Sequence, residues 1–191
     1  MPTTSLDAIL MATRNRVAAL RPRARELERQ AAASPPPRQF GRALVGSAVG
    51  VIAEVKRRSP SAGAIREDLD SVRHAQAYER GGAAAISVLT DEVHFGGSLE
   101  DLARVAQAVT VPVLCKDFIL DELQLLEARA AGGSGVLLIV RALAPEQLRA
   151  LARAARDQDL GGQVPRRHRP VPLRRAQDAP RQLHREVGHR E

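Results

Sequence analysis

Four short apolar runs, each followed by a longer segment with helical spacing, dominate the middle of this chain. They are Val51–Lys56, Ala84–Thr90, Val111–Phe118 and Gly135–Val140, with starts 33, 27 and 24 residues apart. Runs of this length and composition read as strands. Leu69–Arg80, Leu99–Ala108, Asp121–Ala131 and Pro145–Arg156 read as the helices that follow them. Strand and helix alternating at this period predict βαβ units, and so an α/β fold built on a parallel sheet. Both faces of each run are largely apolar, as strands covered by helices require. Gly81-Gly82 and Gly132-Gly133 are placed to close helices ahead of the next strand.

The flanks differ from this middle. Residues 5–30 predict one helix, with Thr3, Thr4 and Ser5 as candidate N-caps and Leu6, Ile9, Leu10, Thr13, Val17 and Leu20 at helical spacing. Pro35, Pro36 and Pro37 mark a stiff linker. Beyond Leu160 the periodicity stops, and Pro165, Pro170, Pro172 and Pro180 exclude a central strand. The expected organisation is a helical extension and linker over 1–38, a partial barrel over 39–160 and an Arg/Pro-rich tail over 161–191. Two readings of that tail remain: a frameshift in a gene rich in G and C, which is favoured, and a basic unstructured segment.

Charge is distributed unevenly. Eight arginines face three acids in residues 161–191, a surplus of +5 within a net charge of +7, so residues 1–160 carry only +2. A near-neutral body argues against a nucleic-acid-binding protein. One cysteine, Cys115, excludes an internal disulfide and fits a reducing compartment, so a cytoplasmic location is expected. The five histidines lack metal-ligand spacing. No run approaches the roughly 18 apolar residues of a membrane span, and Arg14 and Arg16 interrupt any signal-like segment.

Two strands carry charge where an apolar face is expected. In "IAEVKRRSPSAG", Ile52, Glu54 and Lys56 share one face of the first strand, while Val51, Ala53 and Val55 share the other. In "VPVLCKDF", Leu114, Lys116 and Phe118 share one face, while Val113, Cys115 and Asp117 share the other. A Glu and a Lys two apart on one strand are most often a solvated face. The same placement on two strands, near their C-terminal ends, favours a site. Parallel sheets and barrels bind ligands at that rim. Burial there disfavours the charged form of a lysine and a nearby carboxylate favours it, which makes a tunable proton donor or a fixed cation for an anionic substrate. Glu54 is placed to hold Lys56 or Lys116. Arg57, Arg58, Ser59 and Ser61 add donors suited to phosphate or carboxylate. Phe95 and Phe118 either cap a barrel or form a slot for a planar ring. Cys115 reads as core filler, and His94 as a surface loop residue rather than a base.

"IAEVKRRSPSAG", "ISVLTDEVHFGGS", "VLCKDFILDELQ" and "VLLIV", in order and preceded by the helix "ILMATRNRVAALR", closely resemble the indole-3-glycerol phosphate synthase family over about residues 6–160. The resemblance implies a (β/α)8 TIM barrel, here truncated to an N-terminal helix and about four βα units. It implies a carbon–carbon lyase of tryptophan biosynthesis that closes the indole ring of 1-(2-carboxyphenylamino)-1-deoxyribulose 5-phosphate, losing carbon dioxide and water without cofactor or metal. On that resemblance Lys116 is the general acid, Lys56 contacts the substrate's anionic groups, and Glu54 positions the lysines and the substrate amine. Ser59 and Pro60 lie in the loop against the substrate. Phe95, Phe118 and Leu137 line the anthranilate pocket. The family's later segments, including those that grip phosphate, have no counterpart after Leu160. Four strands leave two open sheet edges, so the chain alone is expected to be poorly soluble or loosely folded, and inactive. Two alternatives are a non-catalytic basic protein binding nucleic acid through its tail and a related phosphate-binding barrel enzyme. Steep salt dependence lost on deleting 161–191 would mark the first, and trials with purified substrates the second.

Overall fold

The computed structural model describes residues 5–45 and 49–161. Thr3, Thr4 and residues 162–191 of the tail lie outside the described residues.

The N-terminal extension is two helices rather than one. Helix α1 (Leu6–Leu20) starts at Ser5, whose hydroxyl accepts from the Ala8 N–H at 3.3 Å. A 3₁₀ turn over Arg21–Arg23 separates it from α2 (Ala24–Ala33). Pro22 causes the break, because it has no N–H to continue the ladder. One face of α1, carrying Ile9, Leu10, Thr13, Val17 and Leu20, is buried.

Four strands then form one parallel sheet in chain order: β1 (Ile52–Val55), β2 (Ala85–Leu89), β3 (Val113–Lys116) and β4 (Gly135–Val136). Helices α3 (Ser71–Arg80), α4 (Leu99–Ala108) and α5 (Glu122–Ala130) connect them, and α6 (Pro145–Asp157) follows β4. Their N-termini are capped: Asp70, Ser98 and Asp121 each accept backbone N–H groups, and Gln124 completes a capping box on α5. Gly81 and Gly132 close α3 and α5 as expected, donating to the carbonyls of Ala77 and Arg129 at 3.0 Å.

The strands are shorter than their apolar runs. β3 stops at both ends where side chains capture the backbone: Glu79 accepts the Val111 N–H at 3.2 Å, and Asp117 accepts the Phe118 N–H at 2.7 Å. The expected fourth strand, Gly135–Val140, keeps only two residues in the ladder and turns into a 3₁₀ segment at Val140–Ala142. Among the described residues it pairs with β3 alone, Gly135 with Leu114 and Val136 with Cys115, and Ile139 beyond it is still extended. Val140 is 70% exposed.

The core lies between the sheet's outer face and the helices. Val55, Ile86, Val88, Val113 and Cys115 point outward and meet Leu102 and Val105 of α4 and Leu125 and Ala128 of α5, all buried. The register sets the other face: Glu54 pairs with Ser87, Ser87 with Leu114, and Leu89 with Lys116. Phe40, on a single helical turn (Phe40–Ala43), lies against Gly135 at the N-terminal end of β4, at the opposite end of the sheet from the lysines.

Candidate active site

Glu54 is the centre of the charged rim. Its Oε1 lies 2.8 Å from Lys56 Nζ, and its Oε2 accepts from Lys116 Nζ. It therefore holds both lysines rather than one of them. The three side chains are 27%, 31% and 35% exposed, respectively. Burial alone would raise the Glu54 carboxyl pKa, but hydrogen bonds from Lys116 and then Lys56 overcome it and hold the group below its ordinary value. The triad carries two positive charges against one negative, so the rim is set for an anion. These are also the only two lysines among 29 basic residues; every other one is arginine. Arginine keeps its proton in proteins, whereas lysine can give it up. That contrast was present in the sequence and would have singled out both positions.

Phe95 and Phe118 come together from different loops, with ring centroids 6.3 Å apart and planes tilted by 38°. Phe95 ends a short helical turn (Glu92–Phe95) capped by Asp91 and closed by Gly96 at φ +63°. Gly97 then passes so close to β2 that a Cβ on it would sit 2.0 Å from the Leu89 carbonyl oxygen. Phe118 stands two residues past Lys116, and its carbonyl accepts from the Gln124 side chain at 2.9 Å. Leu137 lies past the end of β4 on the exposed sheet edge. Ser59 and Pro60 belong to a small antiparallel hairpin, Arg58–Ser59 against Gly63–Ala64. The Ser59 hydroxyl accepts from the Ala62 N–H at 3.1 Å.

Several other expectations change. Arg57 and Arg58 are fastened within the protein. Arg57 forks onto Asp101 at 2.5 and 3.0 Å and reaches the Gly96 carbonyl at 3.1 Å. Arg58 donates to the carbonyls of Glu92 and Val93 at 2.9 and 3.1 Å. Both arginines thus tie the loop after β1 to the turn that carries Phe95. His94 is not on the surface: its ring is 10% exposed and its Nδ1 lies 3.2 Å from both Asp91 oxygens. Cys115 is core, as expected, and burial pushes its thiol up to about 12.

Of two buried carboxylates, Asp101 was not singled out in the sequence, and Asp117 was given a strand face but no partner. Asp101 accepts from Arg57, Ser71 and Ser98. Burial opposes its ionisation, yet those donors hold its pKa below the ordinary value. Asp117 accepts from Arg16, Thr90 and the Phe118 N–H. A carboxylate on an apolar strand face signals that partners must exist, but not which ones. Among the described residues, no cluster of His, Cys, Asp or Glu could hold a metal ion, and no helix is long and apolar enough to cross a membrane.

The family model of indole-3-glycerol phosphate synthase matches residues 6–164. The chain belongs to the indole-3-glycerol phosphate synthase family. Among curated proteins it is 58% identical to the synthase of Leptospira interrogans over 105 residues, 55% of this chain and 42% of that protein. It is 52% identical to the synthase of Rhodopirellula baltica over 148 residues, 76% and 57% of the two. It is 48% identical to that of Mycobacterium avium over 162 residues, 84% and 59%. The chain thus spans about half the length of the synthases it matches. The family's fold is a (β/α)8 barrel, and the four parallel strands with their helices are part of one.

Proposed function

We propose that the described residues supply the ring-closing part of an indole-3-glycerol phosphate synthase site. The observation that carries this reading is Glu54 bridging the chain's only two lysines, beside the Phe95–Phe118 pair. Closing an indole ring on the ribulose chain drives negative charge onto the carbonyl oxygen that is attacked. A positioned ammonium that can release its proton lowers that barrier. Lys116 fills this role, and carbon dioxide and then water leave as the ring becomes aromatic. Lys56 holds the substrate's anionic groups, and Glu54 keeps both ammonium groups and the substrate amine in place. Phe95, Phe118 and Leu137 form the walls for the anthranilate ring, with Ser59 and Pro60 in the loop over it. The substrate is a small phosphorylated anthranilate derivative, and the location is the cytoplasm. A lone buried thiol suits that compartment.

The test replaces the matching segment of the Mycobacterium avium relative with residues 6–160 of this chain and follows indole fluorescence on adding the substrate. Product is expected from the chimera and none from its Lys116→Met variant. A folded chimera that keeps Lys116 and makes no product would overturn the reading.

A further inference from the structure

We propose that Asp117 is a positioning residue for Lys116 and Phe118, and that Arg16 makes α1 part of the site's support. This rests on the reading of Lys116 as the reactive group.

Asp117 stands between Lys116 and Phe118 in the chain, on the opposite face of the strand end. Its side chain is 3% exposed. Its Oδ2 accepts from Arg16 Nη2 and from Thr90 Oγ1, both at 2.8 Å, and its Oδ1 accepts from the Phe118 N–H at 2.7 Å. Thr90 binds the same strand end twice, because its own N–H donates to the Lys116 carbonyl at 3.2 Å. The backbone that aims Lys116 at Glu54 is therefore clamped by β2 and by α1. Arg16 reaches it from 101 residues earlier.

The energetics make the clamp specific. A buried carboxylate is tolerated only when its lone pairs are met and its charge is paired. Arg16 supplies the only opposite charge within hydrogen-bonding distance of Asp117 among the described residues. Without it, Asp117 must draw in water or move. Each of these loosens the segment that carries both Lys116 and Phe118. Placement errors of about 1 Å at a reacting group cost on the order of 100-fold in rate, so a brace this remote from the lysine face still governs reactivity.

The two-lysine composition allows a direct test on the full 191-residue chain. Brief acetylation at fixed pH, followed by peptide mass spectrometry, reads Lys116 with Lys56 as internal reference. Arg16→Gln is expected to raise Lys116 labelling relative to Lys56 severalfold, by freeing its ammonium from Glu54. Arg16→Lys should restore the ratio towards that of the parent. Thr90→Val, which keeps the side-chain shape, should move it in the same direction as Arg16→Gln. An unchanged ratio in both Arg16→Gln and Thr90→Val overturns the proposal. So does equal acceleration of both lysines, which reports general loosening. Labelling uses no substrate, so a failed ring-closure reading, seen as missing product in the chimera, is a separate result.

Discussion

Glu54 and Lys116 are 62 residues apart in the chain and hydrogen-bonded across a strand that belongs to neither. β2 lies between them, with Ser87 in register with Glu54 and Leu89 with Lys116. The bond therefore reports the curvature and register of three strands at once. Glu54→Gln leaves two ammonium groups facing a neutral amide. Turnover by the chimera is expected to fall about 100-fold or more. Unfolding free energy should change by only about 1 kcal/mol, because the pairs are partly solvated. Stability lost by several kcal/mol with turnover intact would reverse this assignment.

Asp101 makes the loop after β1 sensitive to acid. Its folded pKa lies below the unfolded value, so its contribution is complete above the ordinary Asp range and disappears as pH falls through the lowered value. Melting temperature should fall on acidification below about pH 4, and Asp101→Asn should flatten that decline while lowering stability at neutral pH. A variant with the parent's acid limb would place the effect elsewhere.

Cys115 should be chemically silent in the native state. Its thiol is buried and pushed up to about 12, so thiolate is scarce at neutral pH. Iodoacetamide modification is expected only at the rate at which the sheet opens, rising steeply in urea. Fast alkylation without denaturant would show that the outer face of β3 is open.

Gly97→Ala should uncouple the Phe95 turn from β2. The added Cβ would stand 2.0 Å from the Leu89 carbonyl oxygen, an approach that backbone cannot relieve without moving. A loss of about 1–3 kcal/mol is expected, with weaker binding of an anthranilate-type ligand by fluorescence. Gly63→Ala is a control, since a Cβ there meets nothing within 4 Å, although its φ of +67° carries its own strain. A milder effect at Gly97 than at Gly63 would contradict the close approach.

The alternation of strands and helices, the Ser5 cap and the facing of Glu54, Lys56 and Lys116 are written locally in the chain. These depend on periods of 2 and 3.6 residues and on neighbours a few positions away. Lys116 beside Glu54 was accessible as a parity argument, and the rarity of lysine would have strengthened it. Strand ends were not legible. The Val111 and Phe118 N–H groups go to the Glu79 and Asp117 side chains from outside the strand pattern, Pro112 has no N–H to give, and β4 keeps only Gly135 and Val136 in the ladder. The destinations of Arg16 and Arg57 were equally hidden. A guanidinium suits an external phosphate and an internal carboxylate alike. Packing selects the internal carboxylate in both cases, because Asp117 and Asp101 lie 101 and 44 residues away and become neighbours only when the chain folds.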